Sequence, residues 1–353
     1  MINVVILPGD GIGQEVSNEA VKVIRAIEKR FDLKINISEE IIGGASLDKF
    51  GIPVKEEVLD RCRNTDAVFL GAIGGPKWDN NPSELRPEKA LLALRKVLNA
   101  YINLRPIKIF KSLIDSSPLK PELLENVDIL IVRELTGGLY FGEKKIEKTE
   151  SGEHAVDTME YSTFEIERIA KAAFDAAKIR RKKVTSVDKN NILATSQLWR
   201  RVVIEFAKEY PDIELDHLLV DNAAMQLVRY PAQFDVILTE NTFGDILSDE
   251  AAMLTGSLGM LPSASLGDAG GIYEPVHGSA PDIAGKNLAN PLAAINTAAM
   301  MFRFTFKNDE AAKVIEKAVE DVLDEGFRTK DLHTPGTTLL SCSEMGDKVV
   351  EKI

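Results

Sequence analysis

The chain has 353 residues, more than one hydrophobic core usually serves, so two domains are expected. Hydrophobic residues make up 44% and charged residues 28%, an ordinary balance for a water-soluble enzyme, and a formal net charge of -12 argues against nucleic acid as the main partner. No apolar run approaches the roughly 20 residues that span a bilayer, so no membrane partner is expected. MINVVILPGDG at the N-terminus lacks a basic n-region and a small-residue cleavage site, and reads as a buried strand rather than a signal peptide. Cys62 and Cys342 are too few and too far apart for a disulfide framework, and a cytoplasmic location fits.

Residues 4–7 read as a strand and 15–30 as a helix. Between them Gly9-Asp10-Gly11-Ile12-Gly13 imitates a dinucleotide fingerprint. Its third glycine comes one residue early, and the acidic pair Glu39 and Glu40 falls late for a ribose partner, so a Rossmann site is rejected and the loop is kept as a candidate cofactor wall. A strand at 67–70 ends in GAIGGP, and a helix follows at 87–98. Further strand-like runs lie at 107–110, 129–132, 184–187, 218–220 and 236–238, with helical patterns at 164–178, 195–210 and 245–254. The alternation predicts an α/β protein with a largely parallel sheet. Residues 139–159 break the rhythm and read as a protruding hairpin, either a plain surface feature or a dimerisation arm.

Asp245 and Asp249 in NTFGDILSD are four apart on a predicted helix, so their carboxylates share a face and repel. A hard divalent cation would reverse that cost, and oxygen donors favour Mg²⁺ or Mn²⁺. The bland alternative is a solvated acidic face. Asp221, placed just after a predicted strand, is a candidate third carboxylate. Arg95, Arg105 and Arg133 offer planar guanidiniums of the kind that bind carboxylates bidentately, which suits a dicarboxylic acid. Singly, each is more often a surface salt-bridge partner. Leu91 and Leu92 precede Arg95 on one helix and read as core unless they line a pocket. Tyr140 and Lys189 are candidate proton-transfer groups, the lysine because burial can lower its pKa. The run EPVHGSAPDIAGKNLAN, residues 274–290, is a long loop of small residues that allows close ligand approach.

Taken together, LPGDGIGQEV, GAIGGPKWD, LRPEKALLALRK, NLRP, VRELTGGLYFGE, VDKNNIL, NTFGDILSDEAAMLTGSLGMLPSASLG and EPVHGSAPDIAGK resemble the β-decarboxylating isocitrate/isopropylmalate dehydrogenase family over essentially the whole chain. The resemblance implies that family's two-domain fold, distinct from Rossmann. Residues 1–100 and 256–353 would form one domain. Residues 101–255 would form the other, with the arm, the dimer interface and the metal ligands. It implies NAD-dependent oxidative decarboxylation of 3-isopropylmalate to 4-methyl-2-oxopentanoate in leucine biosynthesis, with Mg²⁺ or Mn²⁺. Arg95, Arg105 and Arg133 match the arginines that take the malate carboxylates. Asp221, Asp245 and Asp249 match the metal ligands, with Asp221 also touching substrate. Lys189 and Tyr140 match the acid/base pair. A homodimer is implied in which Lys189 and Asp221 serve the neighbouring subunit's site.

By the same resemblance Ile12, Glu88, Glu274, His277, Gly278, Ser279, Ala280, Asp282, Ile283 and Asn290 match cofactor contacts. Asp282 followed by Ile283 points to NAD, since NADP-using relatives carry lysine and tyrosine there. Leu91, Leu92 and Ile192 would form the pocket for the isopropyl group. Glu240 and Asn222 depart from the small neutral residues expected in many relatives, and Glu240 is expected to add negative charge near the metal. Dehydrogenases of D-malate, tartrate, homoisocitrate and isocitrate share the metal and arginine apparatus. The residues after Glu88 separate them. A catalytically dead regulatory subunit should have lost an aspartate or the lysine/tyrosine pair, and none is missing here.

Overall fold

The computed structural model describes every residue except Ala269. It divides into two compact units: Met1–Ala100, Phe110–Pro118 and Ala252–Ile353 form the first, and Tyr101–Ile109 with Leu119–Ala251 the second. Among the described residues no helix is long and apolar enough to cross a membrane.

The first unit opens with β1 (Ile2–Gly9), α1 (Gly13–Arg30), β2 (Ile35–Glu39), α2 (Gly44–Phe50), α3 (Glu56–Arg63), β3 (Ala67–Ala72) and α4 (Glu88–Val97). All six residues of β3 are buried, the signature of a parallel strand covered on both faces.

In the second unit come β4 (Ile102–Lys108), α5 (Pro121–Leu124), β5 (Asp128–Glu134), β6 (Lys144–Thr149), β7 (Gly152–Asp157), α6 (Thr163–Lys178), β8 (Lys183–Asp188), α7 (Ala194–Ala207), β9 (Glu214–Leu219), α8 (Val220–Arg229), β10 (Val236–Thr239) and α9 (Asn241–Ala252). Its strands run in the order β4-β5-β10-β8-β9. All are parallel except β4, which is antiparallel to β5. A Ser162/Glu165 capping box starts α6. The pair β6–β7 is an antiparallel hairpin, with Ile146 74% exposed and Val156 41% exposed in the single chain.

The chain then returns to the first unit with β11 (Ala264–Leu266), β12 (Gly271–Tyr273), α10 (Leu292–Phe304), α11 (Asp309–Asp324), β13 (Phe327–Arg328), β14 (Thr338–Leu339) and α12 (Cys342–Lys352). Strands of this unit run β2-β1-β3-β12-β11, parallel up to β12, with β11 antiparallel to it. Helix α10, LAAINTAAMMFRF, is buried from Leu292 to Phe302 and fills the core against α1, β3 and β12. Arg328 donates to the Ser112 carbonyl (2.7 Å), tying 110–118 into this unit. Cys62 and Cys342 are free, and burial pushes both thiols up to about 12.

Three expectations need correction. The strand expected at 218–220 is β9, Glu214–Leu219, and Val220 and Asp221 begin α8 instead. Its sequence, ELDHLL, alternates polar with apolar side chains and hides the strand's first half. The strand expected at 107–110 starts at Ile102, because Pro106 is accommodated inside β4 opposite Leu130. The helix expected to begin at Asp245 begins four residues earlier, at Asn241, so Asp245 lies in its second turn.

Candidate active site

In the second unit the side chains converge on Asp245. Arg133, near the end of β5 and 1% exposed, donates from Nη1 to Asp245 Oδ1 (2.5 Å) and from Nε and Nη2 to Asn241 Oδ1 (3.1 and 2.7 Å). The Tyr140 hydroxyl donates to Asp245 Oδ2 (2.7 Å). From β4, Arg105 donates to Ser248 Oγ (2.6 Å) and Asp249 Oδ1 (2.9 Å), and it lies 3.6 Å from Asp245 Oδ1. Two guanidiniums thereby offset the repulsion between carboxylates one helical turn apart. A Cβ at Gly244 would lie 2.6 Å from Arg133 Cγ, so a glycine inside α9 is what lets the arginine stem lie against the helix. Burial, and then the hydrogen bond to Asp245, pushes the Tyr140 phenol up to about 12. It therefore keeps its proton at neutral pH and can donate it.

A second constellation lies past β8. Lys189 donates from its backbone N–H to Ser196 Oγ (3.0 Å), and from Nζ to Asp221 Oδ1 (2.6 Å) in the first turn of α8. The hydrogen bond from this ammonium holds the Asp221 carboxyl below the usual carboxylate range. Ile192 is 69% exposed. Among the described residues no three carboxylate, imidazole or thiol side chains gather as metal ligands would, so within one chain Asp221 does not join Asp245 and Asp249.

The first unit carries the remaining candidates. Arg95, buried on α4, pairs with Glu274 (3.1 Å). Its Nε is buried and meets no hydrogen-bond partner among the described residues. Leu91 leans on the core cluster around Leu94 and Leu98, while Leu92 is half-buried beside it. The Glu88 carboxylate lies close to the loop after β3: a Cβ at Gly74, φ +102°, would meet its Oε1 at 2.7 Å. The imitation fingerprint proves to be a clasp. Asp10 is buried and accepts from the backbone N–H of Gly44 (2.9 Å), Ala45 (2.8 Å) and Gly74 (2.9 Å). The Ile12 N–H donates to the Ser279 carbonyl (2.8 Å), and Gly11, φ +57°, has no room for a Cβ against that same carbonyl.

The 274–290 loop passes through successive turns, with Ala280 at φ +39°. Gly278 is exposed and Ile283 half-buried. His277 Nδ1 lies 3.0 Å from the Gly278 carbonyl, its Nε2 is buried without a partner among the described residues, and burial holds its pKa down. Asp282 is exposed, and Lys286 donates to its backbone carbonyl (2.7 Å). Asn290 is buried. Its Oδ1 accepts from the Leu292 N–H (3.0 Å) at the start of α10, and its Nδ2 donates to Asp331 (3.0 Å), a helix-capping role in its own right.

Sequence reasoning passed over Asn241, which grips Arg133, and Ser248 and Asn103, which hold Arg105. Asn241 stands four residues before Asp245 on the same helical face, a spacing that signalled it. Glu240 is buried and caps α9, accepting from the N–H groups of Thr242 (2.9 Å) and Phe243 (2.6 Å). Burial raises its pKa, which damps the negative charge expected there. Asn222 accepts from Gln226 (3.3 Å) on α8.

Two α/β units built on largely parallel strands, with Asp245 and Asp249 held against Arg105, Arg133 and Tyr140 in the second, are the build of a dehydrogenase acting on acidic substrates. The isocitrate/isopropylmalate dehydrogenase family model matches residues 3–349, and the chain belongs to that family. It is 57% identical over 350 residues, 99% of this chain and 98% of the relative, to a Moorella thermoacetica protein named 3-isopropylmalate dehydrogenase. A Geobacillus kaustophilus protein of the same name is 58% identical, covering 98% of this chain and 94% of that one. Among solved structures, isocitrate dehydrogenase from Methylococcus capsulatus superposes with a TM-score of 0.89 at 37% identity, covering 100% of this chain and 99% of that one.

Proposed function

We propose that this chain oxidises and decarboxylates 3-isopropylmalate to 4-methyl-2-oxopentanoate with NAD⁺ and Mg²⁺ or Mn²⁺, a step of leucine biosynthesis. The observation that carries the reading is the convergence of Arg133, Arg105 and Tyr140 on Asp245: carboxylate-binding cations, a hard-metal ligand and a protonated phenol at one point. The relatives at 57% and 58% identity support the substrate.

Asp245 and Asp249, with Asp221 from a second copy, would hold the metal, and their all-oxygen donor set suits Mg²⁺ or Mn²⁺. His277 with its orphaned Nε2, Gly278, Ser279, Ala280, Asp282, Ile283 and Asn290 would hold NAD, with Ile12, Glu88 and Glu274 beside it. When bound, the metal supplies Lewis-acid polarisation of the C2 oxygen and NAD⁺ accepts the hydride. Arg95, with its orphaned donor, Arg105 and Arg133 take the carboxylates. Lys189 in its neutral form would accept the C2 hydroxyl proton, through water or Asp221, as the C2 hydrogen leaves as hydride. The C–C bond to the β-carboxylate then breaks, CO₂ departs, and Tyr140 protonates the carbon left behind. A dimer is supported by the apolar side chains exposed in the single chain: Met225 and Val228 on α8, Ile246 on α9, and Ile146 on the hairpin.

The test is steady-state turnover of 3-isopropylmalate, D-malate, isocitrate and tartrate with NAD⁺ and Mn²⁺. Isopropylmalate should give the highest kcat/KM, and EDTA should abolish the rate. A higher kcat/KM for isocitrate would overturn the substrate, and full activity in EDTA would overturn the metal.

Burying the three extra carbons of isopropylmalate contributes about 2–2.5 kcal/mol, a preference over malate of roughly 30- to 70-fold in kcat/KM. Because Leu91 already packs on the core and Leu92 does not share that cluster, Leu92 is the better specificity probe. Leu92→Ala is expected to lower the isopropylmalate/malate ratio about tenfold while leaving malate turnover within a few-fold. Parallel loss on both substrates would assign Leu92 to packing alone.

A further inference from the structure

Behind Tyr140 lies a buried cluster that the reaction scheme leaves unused. The Tyr161 ring packs edge-on against buried Trp199, with ring centroids 5.6 Å apart. Trp199 is itself fixed by its Nε1–H to Ser186 Oγ (3.2 Å). Tyr161 carries its hydroxyl between two buried carboxylates, 3.2 Å from Glu134 Oε2 and 3.3 Å from Glu240 Oε2, and accepts the Asn241 backbone N–H (3.0 Å).

Each neighbour controls a different part of the site. Glu134 accepts the N–H groups of Thr136 and Gly137 (both 2.8 Å), the turn from which the chain enters the short helix Gly138–Tyr140. Glu240 and Asn241 begin α9, whose second turn presents Asp245. Asn241 also donates to the Gly137 carbonyl (3.0 Å) while holding Arg133. The fit is tight: a Cβ at Gly137 would lie 2.8 Å from the Tyr161 ring, and one at Gly138, φ +71°, 2.7 Å from its hydroxyl. One hydroxyl, with a single proton for two carboxylates, therefore joins the turn that carries Tyr140 to the helix that carries Asp245. Burial raises the pKa of Tyr161, Glu134 and Glu240, keeping this proton within the cluster.

We propose that Tyr161 is a positioning residue whose hydroxyl fixes the Tyr140 phenol relative to Asp245, and that it serves the carbon-protonation step in particular. The proposal rests on the dehydrogenase reading above. Proton transfer needs its partners within hydrogen-bond reach, and an ångström of misplacement can cost a factor of about 100.

The test compares wild type with Tyr161→Phe, each as full-length enzyme with Mn²⁺. One measurement is exchange of the C3 protons of 4-methyl-2-oxopentanoate with D₂O in the presence of NADH, followed by proton NMR. It reports proton transfer at that carbon alone. The other is the single-turnover NADH burst with 3-isopropylmalate, which reports hydride transfer. Tyr161→Phe is expected to slow exchange at least thirtyfold, with the burst rate and the substrate KM changed less than threefold. Should that variant not fold, Glu240→Gln, which keeps the hydroxyl but weakens its hold on α9, is expected to show the same imbalance at about tenfold. Parallel loss of both rates in a folded variant would overturn the positioning role. Absence of both activities from the wild type would instead overturn the assigned reaction.

Discussion

Lys189→Ala and Asp245→Asn should each lower kcat by two to four orders of magnitude as homodimers, the range for loss of a proton-transfer group, yet co-refolding the two should restore activity. The expectation follows from what one chain brings together. Asp221 is held by Lys189 at 2.6 Å, whereas Asp245 and Asp249 stand with Arg133, Arg105 and Tyr140. A third carboxylate for that pair does not come from the same chain among the described residues. If a second copy supplies both Lys189 and Asp221, a heterodimer holds one doubly substituted site and one intact site. A statistical 1:1 mixture then contains about half heterodimers and recovers about a quarter of wild-type activity. Asparagine is chosen because it keeps hydrogen-bonding capacity toward Arg133, which is buried and costly to leave unpaired. No recovery in mixtures proven to contain heterodimers would place Lys189 and Asp245 in the same chain's site.

The second large effect concerns the coenzyme. Asp282 is exposed on the turns after Ala280, where a carboxylate can accept from ribose hydroxyls and repel a 2′-phosphate. Losing one charge-assisted hydrogen bond costs about 1.5 kcal/mol, and repulsion near water adds roughly 1 kcal/mol or more. NAD should therefore be preferred over NADP by about a hundredfold in kcat/KM. Asp282→Lys with Ile283→Tyr should narrow that ratio at least tenfold, mainly through KM for NADP. Equal use of both coenzymes by the wild type would refute the assignment.

Much of this organisation was legible in the residues. The apolar runs of β3, β5, β8 and β10 announce strands buried on both faces, and the family motifs led to Arg133, Tyr140 and Asp245, which converge in one place. Less visible were elements whose pattern is ambiguous. Helix α10 is apolar on every side, so it lacks the amphipathic period that marks a helix, and the short β11 and β12 carry too few residues to show alternation. The supporting groups were hidden for a different reason. Tyr161 reaches Glu134 and Glu240 from 27 and 79 residues away, and nothing local in the polar run TMEYST, residues 158–163, foretells it. Asp10 was read as part of a failed nucleotide motif, whereas its carboxylate answers three backbone donors from two distant loops.

The first unit is assembled from chain on both sides of the second, and this sets an order of events during synthesis. When residue 251 has emerged, the second unit has almost all of its strands and helices, but β3 still lacks its partner strand β12 and the apolar helix α10 packed on it. Val68 and Leu70 pack early against Val58, Leu94 and Leu98, but the strand and helix that complete the cover of β3 are made some 200 positions later. Such distant pairing slows folding and leaves sticky surface waiting. The nascent chain thus passes through a stage in which a finished half is tethered to an unfinished one, and the last hundred residues act as the lid that ends its exposure to aggregation and chaperones.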